Sequence, residues 1–99
     1  MFRMIIKTID INAKEWFDKI NGNSYFSGEV ILNFGMENQK VIKLPFQYGY
    51  GEHYQDIGFA EIEKQVLGFK TGLRLYQYCK ENNIILRTNK TENYKKRDL

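Results

Sequence analysis

Apolar and polar residues alternate in three segments of the chain, a period of two that is typical of half-buried β-strands. The alternation predicts a first strand over residues 2–9 and a longer second strand over residues 24–34. Residues 35–39 are typical of a turn, and residues 41–44 predict a third strand that pairs with the second as an antiparallel hairpin. Pro45 follows directly. Because proline has no N–H to donate to a ladder, Pro45 predicts a sheet edge, a bulge or a strand break.

A short helix is predicted between the first two strands. Asn12 and Glu15 have the spacing of a capping box, in which two side chains satisfy free backbone N–H groups at a helix start. Ile11 before the cap and Trp16 after it match a hydrophobic staple. The pattern therefore predicts a helix that starts after Asn12, ends at an Asn-Gly pair and anchors itself in the core through Trp16.

The C-terminal half predicts helices followed by a last strand. Residues 51–58 are polar and predict a loop. Apolar residues at helical spacing begin at Phe59, and Thr71 is placed to cap a further helix that ends at an Asn-Asn pair. Residues 84–86 are short, apolar and β-branched, so they predict the last strand.

The predicted order of elements is strand, helix, strand, strand, one or two helices, strand. It indicates an α+β fold, a mainly antiparallel sheet with helices packed on one face. A ferredoxin-like split βαβ arrangement is compatible with the same order. The length suits one domain, expected over residues 1–88. Residues 89–99 are polar and basic, and we expect them to form a flexible tail.

Composition and charge narrow the class of function. The chain is 42% hydrophobic, 15% aromatic and 27% charged, as in a globular domain. Residues 1–85 carry ten Lys/Arg and ten Asp/Glu, so the net charge of +3 comes from residues 86–99. A basic face on the folded part is what a dedicated nucleic-acid binder needs, so nucleic acid is disfavoured as the partner. One cysteine, no secretion signal and no membrane-spanning apolar stretch favour the cytoplasm and exclude a membrane partner.

An aromatic run between residues 44 and 54 contains the candidate binding residues. Alternation places Phe46, Tyr48 and Tyr50 on one face of an extended strand. Phe46 has no polar group and is predicted to belong to the core. The two tyrosines approach the predicted loop, where the sheet edge opens to water. We therefore expect the binding surface to consist of Tyr48, Tyr50, His53 and Tyr54.

No residue pattern indicates catalysis, a cofactor or a metal. His53 beside Glu52 and Asp56 is more typical of a solvated loop histidine than of a general base. Cys79 lies on a helical stripe, where a small buried apolar residue is the commoner role. One Cys and one His cannot build a zinc site, and no glycine-rich loop is followed by a phosphate-binding helix. We expect a non-enzymatic protein with no cofactor and no metal.

One nucleic-acid motif provides an alternative. The stretch Gln47-Tyr48-Gly49-Tyr50 is similar to the Gly-aromatic-Gly-aromatic core of the RNA-recognition motif, whose rings stack on bases. Gln47 replaces the first glycine, and Phe46 stands where a basic residue is expected. Binding of single-stranded nucleic acid through an aromatic sheet face is therefore kept as an alternative function.

A wider resemblance covers the N-terminal half. The segments EWFDK at 15–19, NGNSYF at 21–26 and LPFQYGYG at 44–51 together resemble a group of small bacteriophage proteins with no assigned activity. The resemblance spans roughly residues 8–55 and brings no catalytic residues. It implies an accessory product that acts in the cytoplasm of an infected bacterium. We expect it to bind a host or phage macromolecule, with inhibition of a host defence or nucleic-acid enzyme as one such role.

Overall fold

The structure is a computed structural model and describes residues 5–66 and 75–99. Residues 2–4 of the predicted first strand and the predicted cap at Thr71 lie outside these residues. The prediction is wrong for residues 5–7, which are described and do not belong to a strand. The described elements are β1 (Thr8–Asp18), β2 (Asn23–Leu32), β3 (Lys40–Tyr48), α1 (His53–Gln65), α2 (Leu75–Glu81), β4 (Ile85–Thr91) and a final 3-10 turn (Lys96–Asp98).

The four strands form one mixed sheet in the order β3-β2-β1-β4. β1 pairs antiparallel with β2, and β2 pairs antiparallel with β3. β4 pairs parallel with β1, after two further strands and both helices have intervened in the chain. The α+β class is therefore confirmed. A ferredoxin-like order needs a helix between the first two strands, where this chain has a hairpin.

The predicted helix after Asn12 is wrong, because these residues continue β1 as far as Asp18. Ile9, Ile11 and Ala13 alternate as buried residues, and ten consecutive residues of β1 pair with β2. A helix cap contributes about 1 kcal/mol, less than a ladder of this length with one buried face. The Asn-Gly pair does reverse the chain, but as the turn of a β-hairpin in which the Gly22 N–H donates to the Asp18 carbonyl at 2.7 Å.

The predicted loop over residues 51–58 is also wrong, because α1 begins at His53. Tyr54, Gly58 and Ile62 are four residues apart, and all three are buried. A side chain built at Gly58 would place Cβ 3.1 Å from side-chain atoms of both Ile11 and Val30. The glycine therefore lets α1 approach the sheet closely, although glycine weakens a helix by about 1 kcal/mol relative to alanine.

One buried cluster forms the core. Its strand members lie at alternate positions, and α1 and α2 add residues that include Tyr54, Ile62 and Cys79. The sheet members are Ile9, Ile11, Ala13, Phe26, Val30, Leu32, Ile42 and Leu44. We call the sheet face that carries these residues the core face. The alternate residues of the same strands point to the opposite face.

The last strand is longer than the sequence predicts. The prediction covered residues 84–86, whereas β4 extends to Thr91 and lies parallel to β1 from Thr8 to Lys14. Arg87 donates to the carboxylate of Asp10 at 2.6 and 2.9 Å, which ties the two strands together. Secondary structure thus passes the predicted domain boundary at residue 88. The flexibility of the segment beyond Thr91 stays a prediction.

Candidate functional site

Four aromatic side chains from three neighbouring strands contact one another on the face opposite the core face. They are Trp16 from β1, Tyr25 from β2, and Phe46 and Tyr48 from β3; we call them the aromatic cluster. The Tyr25 ring stacks on Trp16 at 5.4 Å and on Phe46 at 5.2 Å between ring centroids. Tyr48 meets Tyr25 edge to face at 5.8 Å. We call this side of the sheet the aromatic face.

Strand register explains why the rings of Trp16 and Tyr25 meet. Trp16 lies directly opposite Tyr25 in the β1–β2 ladder, and Tyr25 lies opposite Tyr48 in the β2–β3 ladder. Side chains of directly opposed residues lie about 5 Å apart. The prediction that Trp16 anchors a helix in the core is wrong, because Trp16 lies on β1 and is half-buried on the aromatic face. The alternation of Ile9, Ile11 and Ala13 was the signal that could have revealed the strand.

A β-bulge brings Phe46 onto the aromatic face. Gly28 is opposite Leu44 and Phe26 is opposite Gln47, so β3 has one more residue than β2 across this interval. Such an insertion shifts which residues of the strand point to each face. Ile42 and Leu44 are buried before the bulge, whereas Phe46 and Tyr48 after it are 41% and 55% exposed.

The prediction that Phe46 belongs to the core is therefore wrong. Pro45 was predicted to mark a sheet edge, a bulge or a strand break. The first two are confirmed, since β3 is an edge strand and the bulge lies beside this residue. An edge position and a bulge both tolerate the missing N–H of proline.

Three of the four predicted binding residues line one cavity of about 540 Å³. Its lining is Tyr48, Gly49, Tyr50, Glu52, His53 and Asp56, and we call it the tyrosine pocket. Tyr50 is 68% exposed, and His53 is exposed at the start of α1. Tyr54 differs, because it is only 6% exposed and packs in the core cluster.

The tyrosine pocket depends on close packing at Gly49. A Cβ built at Gly49 would lie 2.7 Å from both the His53 ring and the Phe26 ring. Those two rings meet edge to face at 6.3 Å. Glycine therefore allows the end of β3 to pass close to α1, and the buried Phe26 supports the His53 side of the pocket.

The C-terminal segment runs beside the aromatic cluster. The Tyr94 N–H donates to the Glu15 carbonyl at 3.1 Å, which attaches the segment to β1. Lys96 Nζ lies 5.7 Å from the Trp16 ring, and Lys14 Nζ lies 5.1 Å from the Tyr94 ring. A groove of about 480 Å³ separates this segment from β3, and its lining includes Asn12, Lys14, Lys43, Phe46, Tyr94 and Leu99.

Charges of both signs lie on the aromatic face, further along the strands from the cluster. Glu29 lies 3.9 Å from Lys43, and Asp10 accepts two hydrogen bonds from Arg87. The hydrogen bond and the charge of Asp10 raise the pKa of Arg87. At the hairpin turn, a hydrogen bond from the Asn21 side chain is the largest cause that lowers the pKa of Asp18.

The environment of Cys79 and the grouping of possible metal ligands bear on catalysis. Cys79 is buried in the core cluster, and desolvation raises the pKa of its thiol to about 11. A protonated, buried thiol is a poor nucleophile. Within residues 5–66 and 75–99, no three His, Cys, Asp or Glu side chains are grouped so that they could hold a metal ion.

Comparisons with known proteins do not place this chain in a family. No family model, no curated protein and no solved structure matched this chain. Among the helices that the structure describes, none is long and apolar enough to cross a bilayer.

Proposed function

We propose that this protein is a non-enzymatic binding module that contacts a partner protein through the aromatic cluster. The observation that carries the proposal is the exposure of Phe46 and Tyr48 within a group of four contacting rings on the aromatic face. Aromatic side chains dominate the energetics of protein interfaces because they offer large, rigid area at low entropic cost. Their concentration at one place supports a binding surface.

The surroundings of the cluster favour a protein over a nucleic acid. Glu29 and Asp10 lie on the same sheet face and pair with basic side chains there, which leaves those cations less available to a phosphate backbone. An apolar centre with a rim of paired charges is the usual anatomy of a protein interface. This proposal takes both helices to pack against the core face, in keeping with the core residues that α1 and α2 share.

The biological setting we propose is that of a phage-type accessory protein in the bacterial cytoplasm. All four rings of the aromatic cluster fall within the three segments that resemble small phage proteins. A small binding module with an exposed aromatic surface suits a role in blocking a host defence or nucleic-acid enzyme. The partner is then a host or phage protein.

Affinity capture from bacterial lysate, followed by calorimetry with the purified partner, tests the proposal. Tyr48→Ala should weaken binding about 30-fold, the loss of about 2 kcal/mol typical of an interface hot spot. Tyr76→Ala is the matched control, because Tyr76 is 58% exposed on α2 and away from the cluster. Equal binding by the two variants, with both folded, would refute the aromatic cluster as the contact surface.

Single-stranded nucleic acid is the second candidate ligand. The observation that favours it is the position of Lys96 beside Trp16, because it places a cation of the C-terminal segment at the aromatic cluster. A mobility-shift titration with single- and double-stranded DNA and RNA at two salt concentrations separates the two candidates. Salt-steep binding of single strands that Lys96→Gln and Phe46→Ala both weaken would favour nucleic acid over protein.

A further inference from the structure

The tyrosine pocket adjoins the aromatic cluster, but it is a cavity and carboxylates form part of its lining. Tyr48 belongs to both, since it contacts Tyr25 on the aromatic face and also lines the pocket. Tyr50 adds a second exposed ring at the same cavity. A cavity of about 540 Å³ with two exposed aromatic rings is large enough to receive a long side chain.

The charge of the pocket is negative. Glu52 and Asp56 line it, and no Lys or Arg is part of its lining. Neither carboxylate forms a hydrogen bond or ion pair through its side chain with any residue in the described ranges 5–66 and 75–99. The first turn of α1 adds roughly half a positive elementary charge, which two full negative charges exceed.

A lysine that contacts the backbone beside the pocket is already neutralised. Lys90 Nζ donates to the carbonyl of Gly51 at 2.9 Å, next to the pocket. The same ammonium lies 2.8 Å from the Glu15 carboxylate and 3.8 Å from that of Glu92. Lys90 therefore leaves the charge of Glu52 and Asp56 uncompensated.

We propose that the tyrosine pocket receives an arginine side chain of the partner protein. This inference rests on the protein-binding function proposed above. A guanidinium stacks on aromatic rings and pairs with carboxylates through parallel N–H donors, so it uses both kinds of lining group at once. An ammonium has no plane to stack, which makes arginine the better match than lysine. Because Tyr48 is shared, one partner surface can cover the aromatic cluster and insert the arginine.

A titration with a small probe tests the pocket without the partner. Nα-acetyl-L-arginine amide is added to ¹⁵N-labelled full-length protein, and amide shifts are followed by NMR. We expect the amide chemical shifts of Tyr48, Gly49, Tyr50 and His53 to change and to saturate at millimolar concentrations of the probe. Nα-acetyl-L-citrulline amide, the neutral isostere, should bind about tenfold more weakly because the charge interaction is lost.

Two double variants separate the effect of the pocket carboxylates from the effect of a change in the net charge of the whole protein. Glu52→Gln with Asp56→Asn should abolish saturable binding of the arginine probe. Glu37→Gln with Glu81→Gln removes the same charge at exposed sites outside the pocket and should leave binding unchanged. The inference is overturned if citrulline binds as well as arginine, if both double variants behave alike, or if no shift saturates.

Failure here is distinguishable from failure of the proposed function. If Tyr48→Ala weakens partner binding while the arginine probe does not bind, the protein-binding function stands and the arginine pocket is wrong. If the probe binds and Phe46→Ala, a change in the cluster outside the pocket lining, leaves partner binding unchanged, the pocket stands and the aromatic cluster is not the interface.

Discussion

At the scale of single residues, Gly28 controls how closely β1 and β2 approach. It lies opposite Ala13, and a Cβ built there would collide with the Asn12 carbonyl oxygen and come within 2.9 Å of the Ala13 Cα. Both atoms belong to the backbone, which cannot move aside without disturbing the ladder. The position therefore excludes any side chain, for a reason that lies in the neighbouring strand.

Gly28→Ala should lower the free energy of unfolding by about 2–3 kcal/mol, because overpacking against backbone forces the strands apart. Chemical denaturation of the parent and the variant measures the change. Ser27→Ala, at the adjacent and half-exposed position, should shift the midpoint by much less. A neutral Gly28→Ala variant would show that the strands can separate here at little cost.

A second residue-scale prediction concerns Cys79. Its thiol is buried and its pKa is raised to about 11, so almost no thiolate exists at pH 8 in the folded protein. A disulfide reagent should therefore label native Cys79 at least about 100-fold more slowly than the denatured chain. Labelling is followed by absorbance with and without denaturant. Comparable rates in the two states would mean that the thiol reaches solvent readily.

At the scale of elements, the two halves of β3 contribute side chains to opposite faces of the sheet. Its first half buries Ile42 and Leu44 against the core, and its second half presents Phe46 and Tyr48 on the aromatic face. The bulge near Pro45 makes this change possible, because one inserted residue reverses the alternation. A single strand thus contributes both to stability and to the candidate interface.

The two phenylalanines on either side of the sheet should respond differently to truncation. Phe26 is 2% exposed, so Phe26→Ala should cost about 3–5 kcal/mol. Phe46 is 41% exposed, so Phe46→Ala should cost only about 1 kcal/mol. Denaturant midpoints of the two variants decide the matter. Equal losses would indicate that Phe46 packs as a core residue.

At the scale of the whole molecule, one lysine links parts of the chain that are distant in sequence. Lys90 of β4 lies 2.8 Å from Glu15 of β1, an ion pair without hydrogen-bond geometry. Its ammonium also donates to Gly51 before α1. The side chains of Lys90 and Glu15 are only 17% and 12% exposed, so water screens their interaction weakly. Two strands and the start of α1 therefore meet at this pair.

Lys90→Met should destabilise the fold by about 2–3 kcal/mol, because Glu15 is left with a poorly solvated, unpaired charge. Adding Glu15→Gln should recover much of the loss. Lys43→Met is the comparison, since Lys43 is 80% exposed and its pair with Glu29 should contribute less than about 1 kcal/mol. Thermal unfolding of the parent, the two single variants and the double variant measures these differences. If Lys90→Met is no worse than Lys43→Met, the ion pair does not hold the elements together.

What the sequence alone determined is the part that depends on local patterns. Alternation over residues 24–34 and 41–44 was enough to predict β2, the first part of β3 and their antiparallel pairing. The Asn-Asn pair predicted the end of α2, where Asn83 has a positive φ of 56°. Turn residues and strand periodicity act between near neighbours, so the α+β class could be predicted.

The tertiary structure alone decided which partners these segments meet. Capping signals at Asn12 favoured a helix, but pairing with both β2 and β4 made the segment a strand. Arg87 and Asp10, 77 residues apart, show how far such pairing reaches along the chain. The bulge that exposes Phe46 exists only in the register between β2 and β3. The candidate site could not be predicted in full because strand pairing and register are non-local, and they decide which face each ring occupies.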